Sequence, residues 1–403
     1  MNKHKYIILG AGPAGVSLAH KLLSGGEEDF VILEKENSAG GLCRSFDVDE
    51  SPLDIGGGHF LDVRRPNVNS FLFEFMPEDE WNIFERDSRI NMDGHLISHP
   101  LEANIWQMDV EAQLKYLMSI SKAGCVIGGD IPSTFVEWIR WKLGDEIADN
   151  YMIPYNQKMF GDELNQLGIY WLNKLPDVSF EDVLRSCLEH KAYAKQPGHA
   201  NFYYPKNFGY GELWTRMAKA LKDKIVYNES VIGIDFDKHR VISKDGTVYE
   251  AHKIITSIPW NSIRDFYGMS EKLISEIRKL KHTGVVISYC DMKLDTDAHW
   301  IYEPDIKKSY HRILVRHNFL PGAKGYWKET RKERFSDSNE KAFFNNFAYP
   351  LNTLDKPEIM KELIQWARKK DVYALGRWGE HEHYNSDVVV ERALQLGDEL
   401  LNI

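Results

Sequence analysis

A glycine motif near the start of the chain, Gly10-Ala11-Gly12-Pro13-Ala14-Gly15, has the residue types and spacing that bind a phosphate group. It follows a short apolar run and opens a helical pattern. Gly10 permits a tight turn, Gly12 lets a pyrophosphate approach the backbone, and Gly15 allows the helix to pack closely on the strand. Glu34, about 20 residues further on, is placed to accept hydrogen bonds from ribose hydroxyls. We therefore expect a dinucleotide, and an ordinary glycine turn is the alternative.

A second glycine-rich stretch, Glu34–Ser45, bears on which dinucleotide is bound. It resembles the loop after the second strand in the flavoprotein family of amine oxidases and their relatives. In that family the loop passes under the FAD pyrophosphate, and an arginine or serine contacts it. No second GxGxxG motif marks a separate NAD(P) domain, so the resemblance predicts FAD. Beyond the first motif and Glu34, the expected cofactor-binding residues are Lys35, Gly41, Leu42, Arg44, Ser45, Gly57, Gly58, His59, Val231, Gly376 and Arg377.

Further motifs along the chain resemble UDP-galactopyranose mutase, particularly the branch that includes the eukaryotic enzymes. Asp54–Phe60 looks like the loop that brings a histidine to the flavin, and Tyr151–Asn156 resembles a Met-Arg-Pro-Tyr-Asn motif. Tyr310–Arg312 matches Phe-Tyr-Arg, and His299–Pro304 is similar to Trp-Leu-Tyr-Phe-Pro. Each motif alone is weak, and the resemblance rests on their order along the whole chain.

The resemblance implies a flavin-dependent mutase that interconverts pyranose and furanose forms of a nucleotide sugar. In the family, N5 of reduced FAD attacks the anomeric carbon and displaces the diphosphate, so that the ring can open and close through another hydroxyl. There is no net redox change, but FAD must begin reduced, so an electron donor of unknown identity is expected. The resemblance also implies a role in cell-surface polysaccharide biosynthesis.

Site roles follow from the same resemblance. His59, Arg312 and Arg377 are the expected catalytic residues. His59 would lie against the isoalloxazine and help keep the reduced, anionic form, Arg312 would clamp the diphosphate, and Arg377 would sit by the flavin and phosphate. The expected substrate-binding residues are Asn104, Tyr155, Asn156, Trp300, Tyr302, Arg312, Tyr349, His383, Tyr384 and Asn385.

Plainer interpretations and departures from the family pattern stay open. Aromatic strand residues are common, so Trp300 and Tyr302 also fit sheet packing; Arg312 also fits a surface ion pair and His59 a loop histidine. The pair His381 and His383 lacks a third ligand at a useful spacing, so we expect no metal. The positions that depart from the family pattern, and leave the sugar and nucleotide open, are His99, Glu102, Ile153, His383 and Asn385.

Two other functions compete with the mutase. An FAD-dependent oxidoreductase of the amine oxidase or protoporphyrinogen oxidase type would share the FAD frame, including the Gly209–Leu213 pattern. A flavin-binding protein that has lost catalysis would explain the departures. Fold resemblance alone cannot separate these three functions.

The candidate residues must be positioned by strands and helices, and the order of these elements along the sequence predicts an α/β protein with a Rossmann-type FAD-binding domain. We expect that domain from residues 1–65, 200–265 and 345–403, a helical insertion over 66–199, and a mostly antiparallel substrate-domain sheet over 266–344. Strands are expected at Val285–Met292, Trp300–Tyr302 and Arg312–Asn318. The charge-dense Lys324–Lys341 is expected at the surface.

Composition limits the class of partner and compartment. A net charge of -10 and a pI near 5.9 argue against nucleic acid as the main partner. The four cysteines are widely spaced, which suits a reducing compartment. No apolar run approaches the length of a membrane span. We therefore expect a cytoplasmic enzyme without a membrane span, and we leave a homo-oligomer open.

Overall fold

The computed structural model describes residues 2–172, 177–193, 200–336 and 341–402. Within these ranges no helix combines the length and the apolar character that crossing a membrane requires.

The strands, numbered in chain order, form two large sheets and two small ones. They are β1 Asn2–Leu9, β2 Phe30–Leu33, β3 Ser45–Val48, β4 Ser51–Asp54, β5 Leu61–Asp62, β6 Trp81–Glu85, β7 Ser88–Met92, β8 His95–Ser98, β9 Asn201–Pro205, β10 Ile225–Val226, β11 Val231–Asp235, β12 Arg240–Ser243, β13 Val248–Thr256, β14 Asp265–Tyr267, β15 His282–Cys290, β16 Trp300–Tyr302, β17 Tyr310–Leu314, β18 Tyr326–Arg331, β19 Ala342–Pro350 and β20 Val372–Ala374.

The α-helices range from single turns to about four turns. They are α1 Pro13–Ser24, α2 Pro66–Phe73, α3 Leu101–Asn104, α4 Val110–Ile120, α5 Gly124–Ile127, α6 Phe135–Ile147, α7 Ile153–Phe160, α8 Phe180–Glu189, α9 Gly211–Ala220, α10 Glu271–Lys279, α11 Lys356–Arg368, α12 Gly376–Gly379 and α13 Ser386–Leu401.

The first large sheet has the strand order β10-β2-β1-β13-β12-β11-β14, and β20 also pairs with β13. Its centre is parallel, because β1 pairs in parallel with both β2 and β13. The side chains of Ile7, Ile8 and Leu9 are completely buried, as expected for a parallel strand covered on both faces. Helices α1 and α13 pack together on one face. The predicted Rossmann-type α/β fold is confirmed.

The second large sheet has the order β19-β15-β18-β17-β16-β7-β8. Its neighbours are antiparallel except for β16 and β7, which run in parallel. This is the mostly antiparallel sheet that the sequence predicts. The predicted domain boundaries stay predictions.

Three details of secondary structure differ from the sequence-based expectation. The expected strand Arg312–Asn318 lies instead at Tyr310–Leu314, followed by a 3₁₀ turn. The expected helical insertion also contains β6, β7 and β8, and β7 and β8 extend the second sheet. The expectation of a surface segment at Lys324–Lys341 is wrong for β18, which pairs with both β15 and β17 inside the sheet. The many charged residues of this segment suggested exposure at the surface, but one of these charged side chains is buried in an ion pair.

Candidate active site

A groove of about 470 Å³ lies at the carboxyl ends of β1, β2 and β13, and we call it the glycine groove. Ligands of open α/β sheets bind at this edge. The groove begins beside Glu34 and Val231, passes the glycine motif, and reaches His59 and Arg377. Its further lining residues include Gly10, Gly12, Pro13, Ala14, Lys35, Gly41, Leu42, Cys43, Arg44, Ser257, Asn345, Phe347, Trp378 and Tyr384.

The glycine motif forms the turn that the sequence predicts. Gly12 caps helix α1 and Pro13 begins it. A Cβ atom on Gly15 would lie 2.0 Å from the carbonyl oxygen of Gly10, so any side chain there would separate α1 from β1. A Cβ on Gly41 would lie 3.3 Å from the Cα of Gly12, so the two glycine backbones pack closely together and form a cradle without side chains beside the N-terminus of α1. This cradle fits a pyrophosphate at a helix N-terminus.

Glu34 is held at the end of β2 by two backbone N–H donors. Its Oε2 accepts from Ala11 at 2.7 Å and its Oε1 accepts from Glu36 at 2.9 Å. Burial raises the pKa of this carboxyl, and the two hydrogen bonds oppose the rise. Each carboxylate oxygen has a second lone pair. Glu34 can therefore accept from a ribose while it keeps the loop in place.

Some of the expected cofactor-binding residues support the groove without lining it. Ser45 Oγ donates to Asp54 at 2.5 Å and accepts from the N–H of Gly211 at 2.7 Å, so it braces the loop. Gly376 has a φ of +72°, and a Cβ there would lie 2.9 Å from the Cβ of Ala14. Gly57 and Gly58 lie beside the second sheet. The remaining expected cofactor residues outside the glycine motif all line the groove: Glu34, Lys35, Gly41, Leu42, Arg44, His59, Val231 and Arg377.

Arg377 provides a partly buried positive charge at the far end of the groove. Its Nε and Nη2 donate to the carbonyl of Tyr384 at 2.9 and 2.6 Å, and its Nη1 donates to the carbonyl of Ala348 at 3.1 Å. It thereby ties the segment before α13 to β19. Its charge is not cancelled by these carbonyls.

The position of His59 in the groove favours a neutral imidazole when no anion is bound, and its predicted role beside the reduced flavin stays a prediction. Burial, helped by the charge of Arg377, lowers the pKa of His59 to about 4. Its Nδ1 lies 2.9 Å from the carbonyl of Gly57, which can only accept, so the proton is on Nδ1. Arg377 carries a permanent positive charge close to His59, and the roles of both residues at the flavin stay predictions.

An arginine–tyrosine cluster, made of Arg312, Glu329, Tyr155, Tyr302 and Tyr349, adjoins this end of the groove. The rings of Tyr155 and Tyr302 are 5.4 Å apart and meet edge to face. The charge of Glu329 affects the pKa of both Tyr349 and His59, and Arg377 also affects that of Tyr349. The cluster thus lies within electrostatic reach of the groove's far end.

Glu329 is the main residue that sequence reasoning missed. It is completely buried on β18, and its Oε2 accepts from Nε and Nη2 of Arg312 at 2.7 and 2.6 Å. Burial acts to raise the pKa of Glu329, but the charge of Arg312 outweighs it and lowers the pKa to about 2. Alternation in the strand could not have revealed it, because residues of both phases of β18 are buried, Tyr326 and Thr330 as well as Trp327 and Glu329.

The aromatic residues on β16 are braced by a second residue that the sequence did not predict, Arg86. Its Nη2 donates to the hydroxyl of Tyr302 at 3.0 Å, and its guanidinium lies 5.0 Å from the ring centre of Trp300. Trp300 Nε1 also donates to Tyr302, and the Trp300 ring stacks on Phe60. Trp300 is therefore largely packed, whereas Tyr302 reaches the cluster.

Other expected substrate residues make local contacts. Asn104 Nδ2 donates to the carbonyl of Pro100, and Asn156 Nδ2 donates to the carbonyl of Met152. His383 lies 5.1 Å from Tyr349, ring centre to ring centre, and Asn385 is the first residue before α13. Tyr384 lines the groove. The structure brings Tyr155, Tyr302, Arg312, Tyr349 and His383 together; a substrate role for each stays a prediction.

No three His, Cys, Asp or Glu side chains in the described ranges are grouped so that they could hold a metal ion.

Comparison with solved structures identifies the fold. The crystal structure of a reduced UDP-galactopyranose mutase matches with a TM-score of 0.90 over 99% of this chain and 96% of that chain, at 20% identity. The chain has the fold of a UDP-galactopyranose mutase. A putative protoporphyrinogen oxidase from Exiguobacterium matches less well, with a TM-score of 0.70 and 13% identity over 100% of this chain and 99% of that one.

Sequence comparison agrees with the predicted resemblance to this flavoprotein group. A probable UDP-galactopyranose mutase of Klebsiella pneumoniae is 21% identical over 100% of this chain and 96% of its own length. An L-amino-acid oxidase of Vipera ammodytes ammodytes is 23% identical over 60% of this chain, and the chain spans about half the length of that oxidase. The model for a NAD(P)-binding Rossmann-like domain matches residues 8–75. The similarity to UDP-galactopyranose mutase thus extends from end to end.

Proposed function

We propose that this chain is an FAD-dependent mutase that interconverts pyranose and furanose forms of a nucleotide sugar. The position of Arg312 carries the proposal. A buried carboxylate holds its guanidinium beside the His59 and Arg377 end of the glycine groove. A diphosphate leaving group needs such a planar and permanently charged partner.

The glycine groove fits FAD in its chemistry. The cradle between Gly12 and Gly41 would take the pyrophosphate, and Glu34 would accept from the adenosine ribose. Arg377 and His59 would lie at the flavin ring. When bound and reduced, FAD supplies a nucleophilic nitrogen for the anomeric carbon of the sugar.

The protein's own part is to bind the nucleotide sugar and to stabilise the departing diphosphate. Burial acts to lower the pKa of Arg312, but the charge of Glu329 outweighs it, so Arg312 is always charged. Burial, with the charge of Glu329, raises the pKa of Tyr349 to about 12, so its hydroxyl keeps its proton and can donate. Because the charge develops on the diphosphate as the bond breaks, these fixed donors favour the transition state.

A positional isotope experiment tests the proposal. Nucleotide sugars with UDP, TDP, GDP or CDP would carry ¹⁸O in the bridge between the anomeric carbon and the phosphorus. Reversible cleavage of that bond moves the label to a non-bridging position, which ³¹P NMR detects. We expect scrambling with dithionite-reduced protein and none with oxidised protein. Arg312→Lys should slow scrambling strongly, whereas Arg89→Lys, at a half-exposed position on β7 of the same sheet, serves as the control.

An L-amino-acid oxidase or related oxidoreductase is the second candidate, because such oxidases match 60% of the chain. Arg312 is equally suited to a substrate carboxylate. Bleaching of the flavin by an L-amino acid or another amine, with hydrogen peroxide formed on readmission of oxygen, would favour this activity. Absence of label scrambling with every nucleotide sugar, in protein that retains FAD, would count against the mutase.

A further inference from the structure

Glu329 connects two parts of the candidate site that are far apart in sequence. One carboxylate oxygen, Oε2, accepts both hydrogen bonds from Arg312. The other, Oε1, accepts from the backbone N–H of Gly58 at 2.8 Å. Gly58 directly precedes His59, which lines the glycine groove. A single side chain on β18 therefore contacts both Arg312, the arginine proposed to bind the diphosphate, and the loop that carries His59 into the groove.

The loop is shaped around this carboxylate. Gly57 has a φ of +103°, and a Cβ on it would lie 2.7 Å from Oε1 of Glu329. The carbonyl of Gly57 in turn orients the ring of His59 through Nδ1. A displacement of the carboxylate would thus change both the backbone at Gly58 and the direction of the imidazole.

The chemistry of the contacts requires a carboxylate and excludes its amide. The N–H of Gly58 and the two N–H groups of Arg312 are all donors, and an ionised carboxylate offers an accepting oxygen to each side. A glutamine in the same place offers one oxygen and one NH₂ group. It must therefore turn a donor toward either Gly58 or Arg312, and one of the two connections is lost.

Resting on the proposed function, we infer that Glu329 is a positioning residue that holds Arg312 and the His59 loop as one unit. The orientation of the groups at the diphosphate and at the flavin is then set by the same buried side chain. A simpler role for Glu329 would be to neutralise the charge of Arg312. The neutralising role and the positioning role predict opposite effects of Glu329→Gln on diphosphate binding. Loss of a negative charge alone should strengthen binding of a diphosphate, whereas loss of positioning should weaken it.

The test compares Glu329→Gln and Glu329→Asp with the wild type, each as FAD-loaded protein. Glu303→Gln is the matched control, because Glu303, which directly follows β16, is also a buried carboxylate and is bonded to Asn91 and Lys308. The readouts are the Kd for UDP by calorimetry on oxidised protein and the midpoint potential of the bound flavin.

Positioning predicts that Glu329→Gln weakens UDP binding by about tenfold or more, although it removes a negative charge. Glu329→Asp keeps the charge but is one methylene shorter, so it should also weaken binding and shift the flavin potential. Glu303→Gln should change neither quantity. UDP binding that is unchanged or tighter in Glu329→Gln, or wild-type behaviour of Glu329→Asp, would overturn the inference.

Failure of the proposed function gives a different result. If the wild type binds none of UDP, TDP, GDP and CDP but retains FAD, the mutase proposal fails. The inference is then decided by the flavin potential. A shift in both Glu329 variants but not in Glu303→Gln supports it, and unchanged potentials refute it. Should Glu329→Gln not fold, Glu329→Asp still tests positioning, because it keeps the charge and changes only the reach of the carboxylate.

Discussion

The glycine groove and the arginine–tyrosine cluster are adjacent but are built in different ways. The groove takes many of its lining residues from short stretches of sequence, such as Gly12–Ala14 and Gly41–Arg44. The cluster is made of side chains from α7, β16, β17, β18 and β19, which are brought together only by the fold. The groove depends on close approach of glycine backbones, whereas the cluster depends on paired charges.

The strongest way to break the groove is to fill the contact between α1 and β1. Gly15→Ala places a Cβ 2.0 Å from a backbone oxygen, which cannot move aside. We expect a loss of stability of at least about 4 kcal/mol and no FAD-loaded protein. The control is Gly12→Ala, whose Cβ would lie 3.9 Å from its nearest neighbour. Gly12→Ala should fold and bind FAD more weakly, as measured by denaturant unfolding and FAD titration. Equal stability of the two variants would contradict this account.

Removing one partner of the buried ion pair in the cluster should lower the free energy of unfolding of the protein. Arg312→Ala leaves the buried carboxylate of Glu329 without its partner, and we expect a destabilisation of about 3 kcal/mol in urea unfolding. The double variant Arg312→Met with Glu329→Leu replaces the pair by apolar groups and should recover most of that loss. It should not recover nucleotide binding. A double variant as unstable as Arg312→Ala would mean that the ion pair, together with the hydrogen bond from Gly58 to Glu329, stabilises the fold.

The same contrast explains what the sequence could predict. The groove follows from local rules, since the strand, the turn glycines, the helix start and Glu34 lie within a short stretch. The cluster does not, because the pairing of Arg312 with Glu329 depends on the register between β17 and β18. Motif resemblance found Arg312, Tyr302 and Tyr349, but a charge-dense segment concealed Glu329. The bond from Glu329 to Gly58 spans 271 positions in sequence, and no local pattern predicts it.

Glu102 lies near Tyr151 at the edge of the cluster, and its ionisation should make the stability of this region depend on pH. Burial raises the pKa of Glu102 to about 7. This pKa is higher in the folded than in the unfolded protein. The contribution of Glu102 to the free energy of unfolding is therefore largest below the unfolded pKa of about 4.5, and it is lost as the pH rises through 7. Relative to Glu102→Gln, the wild type should lose roughly 2–3 kcal/mol of stability over that interval.

Urea unfolding of wild type and Glu102→Gln across this pH range measures the effect. The exposed Glu111 on α4 provides the control variant, Glu111→Gln. A stability difference between wild type and Glu102→Gln that does not vary with pH would show that Glu102 gains a compensating partner when it ionises.

The smallest effect is expected where the two regions meet, at His59. Its partly buried imidazole, next to the charge of Arg377, has a pKa lowered to about 4 and is neutral over the physiological range when no anion is bound. The midpoint potential of the bound flavin should therefore differ between wild type and His59→Gln by an amount that is constant from about pH 5.5 to about pH 8. A difference that changes near pH 6.5 would mean that His59 gains a proton when the flavin is reduced. In that case the positive charge facing the reduced flavin ring would come from His59 as well as from Arg377. The loop that carries His59 would then be part of the charged cluster as much as of the glycine groove.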